Sequence, residues 1–83
     1  MNSDYEYIVT SAVFARLQSG RGGRRKALAV FAEIAASPHH PGDRTIITPK
    51  SRTIIERKLH GLRVRYWVDH AVSEVRIVDL GTY

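Results

Sequence analysis

The chain has no cysteine among its 83 residues, so neither a disulfide scaffold nor a thiolate metal centre organises it, and a reducing compartment is its natural setting. No apolar run approaches the roughly 18 residues that cross a bilayer, so no membrane partner is expected. Met1 to Glu6 carries two acids and no apolar stretch, which argues against a signal peptide. Together these absences predict a soluble, cytoplasmic protein. Only three prolines occur, at 38, 41 and 49, and they confine the irregular backbone to one segment. There is no internal repeat and no low-complexity tract.

What is present suits a folded globule: 43% hydrophobic residues and 25% charged ones. The length allows a single domain over residues 1–83, one that buries about 60% of its unfolded surface. Net charge is +5, from 13 Lys and Arg against 8 Asp and Glu, and the excess is clustered. Arg21, Arg24, Arg25 and Lys26 fall within six residues, and six more cations lie between Arg52 and Arg76. A small basic protein of this kind meets an anionic partner or carries a solvated basic surface.

Tyr5 to Thr10 is rich in aromatic and β-branched residues and reads as a strand. Ser11 is placed to cap a short helix whose apolar face is Val13, Phe14 and Leu17, and Gly20-Arg21-Gly22-Gly23 ends it. Ala27, Val30, Phe31 and Ile34 follow the i, i+3, i+4, i+7 template of a second helix, with Leu28 and Ala35 widening the stripe and Pro38 closing it. Residues 39–51 read as a loop, with a short edge strand over Arg44 to Thr48. Three strands follow, over Thr53 to Leu59, Arg63 to His70 and Glu74 to Leu80, joined by short turns at His60-Gly61 and Ala71-Val72-Ser73. In the middle strand, alternation puts Val64, Tyr66 and Val68 toward the helices and Arg63, Arg65, Trp67 and Asp69 on the opposite face. The preceding strand, where Glu56 and Lys58 alternate with Ile55, Arg57 and Leu59, leaves its facing open.

This order and several local stretches resemble the RelE/ParE toxins of bacterial type II toxin–antitoxin pairs. The likeness runs from Tyr5 to Gly81. It includes the first strand ending in Ser11, Phe14 and Leu17 in the first helix, Arg25 opening the second and Ala35-Ala36-Ser37-Pro38 closing it. Its most specific piece is the run Lys58-Leu59-His60-Gly61-Leu62-Arg63-Val64-Arg65-Tyr66-Trp67-Val68, similar to a basic strand that turns at glycine into an Arg-x-x-Tyr-x-Val strand. Ile77-Val78-Asp79-Leu80-Gly81 resembles the last core strand. The resemblance implies an α+β fold, β-α-α-β-β-β, with a two-helix hairpin packed on an antiparallel sheet. It implies a toxin that cuts mRNA on the ribosome without a metal or other cofactor. Its partners would be the ribosome, mRNA and a cognate antitoxin, with which it forms a hetero-oligomer. Arginines in such an enzyme stabilise the charged phosphorane, while acids and bases assist attack of the 2′-OH.

Carried over by position, Arg63 and Lys58 would be the catalytic cations and Arg57 and Arg65 supporting ones. His60, in the turn, is the acid–base candidate, set against a purely structural turn residue. Trp67 either stacks a base, receives an antitoxin side chain or is covered by the tail. Tyr83 falls near the place of a family basic residue, as an RNA- or partner-binding side chain. Ribonucleolytic relatives carry a basic residue and a tyrosine or histidine past the last strand. Here the sequence reads Gly81-Thr82-Tyr83, and Glu56 stands where a lysine is common. These departures keep a second expectation open: a gyrase-directed or catalytically inactive member that acts by binding its antitoxin. Outside the resemblance, His39-His40 reads as a metal or proton-transfer site or as ordinary exposed histidines.

Overall fold

A computed structural model describes residues 4–19, 23–50 and 52–83. The Gly20 to Gly22 link, with Arg21, and Ser51 lie outside the described residues. The order is β1 (Glu6–Val9), α1 (Ser11–Ser19), α2 (Gly23–Ala36), β2 (Arg44–Ile47), β3 (Thr53–Leu59), β4 (Leu62–Asp69) and β5 (Glu74–Thr82). The α+β class is as the sequence predicts, with one strand more than the β-α-α-β-β-β order, because Arg44–Ile47 pairs with β3.

The sheet is mixed rather than antiparallel. Its strand order is β1-β5-β4-β3-β2, and β1 runs parallel to β5, with Glu6 opposite Glu74 and Val9 opposite Ile77. The reason is topological. Both helices carry the chain from β1 to β2 at the far edge, and the antiparallel run back through β3 and β4, set by short connections, brings β5 alongside β1 in the same direction.

The second helix follows its template: Ala27, Val30, Phe31, Ile34 and Ala35 are buried. The first departs from it. Val13 and Leu17, four apart, face inward, and Phe14 is turned out at 48% exposure. Its cap is also one residue earlier than Ser11, because Thr10 Oγ1 accepts the Val13 N–H at 3.3 Å. Gly23, expected in the link, opens α2.

One face of the sheet packs on the helices. Val64, Tyr66, Val75 and Ile77 are fully buried there, with Ile55 and Leu59 of β3 and Val68 of β4 alongside. Tyr5 and Tyr7 pack at its margin, Tyr7 against Phe31 with ring centroids 5.6 Å apart. The facing of β3 is thereby fixed: Ile55, Arg57 and Leu59 point to the helices, and Ile54, Glu56 and Lys58 point away. The pairing of β4 with β5 shifts register at Arg65/Tyr66, so that Arg65 meets Asp79 while Tyr66 meets Ile77. Val78 is the extra residue of this bulge. It keeps Ile77 and Leu80 both buried although they are three apart, and turns Val78 and Asp79 together to the open face.

Candidate functional site

The turn between β3 and β4 sets the site. Leu59 pairs with Leu62, leaving His60 and Gly61 as a two-residue loop with φ of 52° and 84°. Positive φ at both central residues is the type I′ turn, whose twist matches that of the flanking strands. Just before and after it, Lys58 and Arg63 sit directly opposite one another on the open face. Such a cross-strand pair brings Cβ atoms to about 5 Å and leaves two cations side by side. The Lys58 backbone is tied down by Asp43, whose Oδ2 accepts the Lys58 N–H at 2.6 Å beyond the end of β2.

Arg63 is held by Asp79, with Nη2 to Oδ2 at 3.5 Å, and its guanidinium lies over Gly81. A Cβ at position 81 would come within 2.7 Å of Nη2, so glycine makes room for this arginine. Tyr83 crosses the turn: its backbone N–H reaches the Gly61 carbonyl and its hydroxyl accepts the Gly61 N–H, each at 3.4 Å. Its ring lies 5.6 Å from Lys58 Nζ.

His60 Nε2 is 3.3 Å from Oε2 of Glu33, a residue of α2, and both side chains are solvent-accessible. With Nε2–H donated to Glu33, Nδ1 keeps the lone pair, the form of imidazole that takes up a proton. Lys26, two turns before Glu33 on the same helical face, reaches the same turn; its Nζ is 3.5 Å from where a Cβ of residue 61 would sit. Lys58, Arg63 and Tyr83 thus meet on the open face at this end of the sheet, beside Asp79, while His60 turns from the same hairpin to the helix side, toward Glu33 and Lys26. Sequence reasoning did not find Glu33. The available signal was its spacing from Lys26 on the polar stripe of α2, which places the two acid–base groups on one face.

The remaining predicted residues lie elsewhere. Arg65 is on the same face, its Nε donating to Glu56 Oε2 at 2.8 Å and its Nη1 4.0 Å from Asp79. Glu56 is only 6% exposed. Its hydrogen bond from Arg65, aided by Arg44 and Arg63, outweighs burial and holds its carboxyl below the usual carboxylate range. Trp67 is covered not by the tail but by guanidinium groups, Arg52 at 4.1 Å and Arg76 at 5.3 Å from the ring centroid. Arg57 is on the other side of the sheet, 8% exposed. It lies beside the buried Tyr66 hydroxyl, yet neither Arg57 Nη1 nor Tyr66 Oη reaches a hydrogen-bond partner. Burial raises the Tyr66 phenol above its ordinary pKa, against the opposing charge of Arg57.

Arg24, Arg25 and Lys26 are exposed in the first turn of α2, which holds no acid. Like charge against the positive end of the helix costs a little stability and leaves a basic surface. In the proline-containing loop His39 stacks parallel on His70, centroids 4.9 Å apart, and His70 Nδ1 is 2.7 Å from the Tyr5 hydroxyl. His40 Nδ1 accepts the Gly42 N–H at 2.9 Å. Among the described residues no three His, Cys, Asp or Glu side chains are placed to share a metal ion. No helix among the described residues is long and apolar enough to cross a membrane. No family model, no curated protein and no solved structure matches this chain.

Proposed function

We propose that the chain is a RelE-like toxin of a type II toxin–antitoxin pair that cleaves mRNA on the ribosome, with the β3–β4 turn as its catalytic end. The observation that supports this reading is one tight turn that carries Lys58, Arg63 and Tyr83 on its open side and His60, bound to a carboxylate, on its helix side. In the cleavage, the 2′-oxygen forms a bond to phosphorus and the bond from phosphorus to the 5′-oxygen breaks. His60, oriented by Glu33, takes the 2′-OH proton. Lys58 and Arg63 hold the negative charge that grows on the non-bridging oxygens. The departing 5′-oxygen collects a proton from solvent or from a protonated neighbour in the cluster. The products are a 2′,3′-cyclic phosphate and a 5′-hydroxyl. The cognate antitoxin, a separate chain, covers this end and silences it, in the reducing cytoplasm where both are made.

A second reading, a gyrase-directed or inactive member that works by binding its antitoxin, draws on a specific observation. Two of the open-face arginines already have carboxylates: Arg63 with Asp79 and Arg65 with Glu56. A cation so occupied has less to offer a phosphate. Inducible expression in a bacterial host separates the two. Growth arrest with codon-phased loss of full-length mRNA, abolished by Arg63→Ala, supports the nuclease. Arrest with intact mRNA, undiminished by Arg63→Ala, overturns it in favour of the second reading.

A further inference from the structure

Past Arg65, the open face hollows into a groove of about 560 Å³ that the turn cluster does not use. Its floor is apolar, built from Ile46, Ile54, Trp67 and the bulged Val78. Lys50, Arg52 and Arg65 stand around it, against one acid, Asp79. The cations differ in how far their charge is already answered. Arg65 is bound to Glu56, and the neighbouring Arg76 to Glu74 at 2.7 Å. Lys50 and Arg52, on the groove's outer margin, have no carboxylate partner among the described residues. Arg52 instead lays its planar guanidinium on the indole at 4.1 Å, so the groove already accommodates a flat group stacked on Trp67.

Resting on the reading above, we propose that this groove binds an unpaired nucleobase of single-stranded RNA, downstream or upstream of the phosphate held at the turn. An apolar, π-rich floor beside unanswered positive charge fits one ligand chemistry: a base with its phosphates attached. Trp67 lies four positions beyond Arg63 in β4, about 13 Å along the strand, a span of a few nucleotides. The strand lies across the open face with its phosphates at Lys58 and Arg63 at one end and at Lys50 and Arg52 at the other. Duplex RNA is excluded, because its base faces are covered by their neighbours and unavailable to the indole.

Trp67 is the only tryptophan in the chain, so the groove reports its own occupancy. The experiment titrates the full chain with a short 2′-O-methyl single-stranded oligonucleotide, which lacks the attacking hydroxyl and cannot be cut. Trp67 fluorescence is quenched, and binding weakens steeply with salt. Trp67→Leu, followed with a labelled oligonucleotide, weakens binding about tenfold or more. Lys50→Glu with Arg52→Glu, both on exposed positions, weakens it and flattens the salt dependence while the chain stays folded by circular dichroism. Equal quenching by the same sequence as a duplex, by inorganic phosphate or by polyglutamate overturns the proposal, as does no quenching at low salt. Failure here is distinct from failure of the nuclease reading. Quenching with mRNA left intact in induced cells keeps the groove and removes the enzyme, and codon-phased mRNA loss without quenching does the reverse.

Discussion

The two faces of the sheet reach low exposure by opposite means. On the helix side, Val64, Tyr66, Val75 and Ile77 are covered by hydrocarbon from α1 and α2. On the open side, no helix among the described residues lies above the sheet, and Glu56 is nonetheless 6% exposed because Arg65 and Arg44 lie against its carboxylate. The charges form a chain across the strands, from Arg44 through Glu56, Arg65 and Asp79 to Arg63. The first face depends on shape and area and is indifferent to acid; the second is made of charge and responds to both acid and salt. A chain of 83 residues has little core to spare, and here its apolar burial is concentrated on one face while the other carries the charge.

The strongest test of that division is Phe31→Ala, which opens a cavity in the helix-side core and costs about 3–5 kcal/mol, read by chemical denaturation. For a domain this small, that is a large share of the total. Glu56→Gln acts on the other face and is expected to be smaller at neutral pH, with its signature in the acid limb. A carboxyl whose native pKa is lowered stabilises the fold above the usual carboxylate range, and that contribution is lost as pH falls through the lowered native value. The variant therefore melts earlier at neutral pH and loses less on acidification; equal acid sensitivity of the two proteins would dissolve the contrast between the faces. Tyr66→Phe removes a buried hydroxyl that has no partner. With Arg57 beside that hydroxyl, the change in stability at neutral pH is expected to stay below about 1 kcal/mol. Because the Tyr66 pKa is raised in the folded state, the wild-type chain loses stability as pH rises above the ordinary phenol value, and the variant is spared that loss. Smallest in stability is His60→Asn, since asparagine also adopts the left-handed conformation the turn demands. Melting is expected within about 0.5 kcal/mol of wild type while mRNA cleavage falls about a hundredfold, the usual effect of removing an acid–base group.

Much of the helix-side face was legible in the sequence because burial imposes a period. The stripe of α2 and the alternation of Val64, Tyr66 and Val68 each follow from one rule. Phe14 escaped it because a nine-residue helix offers two overlapping apolar triplets, and Val13 with Leu17 won. The parallel pairing of β1 was not legible, since nothing local records which strand a distant segment will join. The bulge at Val78 hides in an unbroken apolar-rich run, and only the pairing reveals it. The site shows the same split. The turn and its cations stand within six residues of sequence, but Glu33 comes from α2, 27 positions earlier than His60. The Trp67 groove needs Lys50 and Val78 together, from opposite sides of the sheet.

The parallel bond between β1 and β5 also governs when the protein exists at all. Glu6 cannot find its ladder partner until Glu74 has been made, 68 residues later. At ordinary elongation rates of about 5–20 residues per second, the first strand waits several seconds on the ribosome without a neighbour. Through that interval β2, β3 and β4 can pair with one another, but Val75 and Ile77, which complete the helix-side core, have yet to be made. The apolar face of the helices is closed only when β5 arrives.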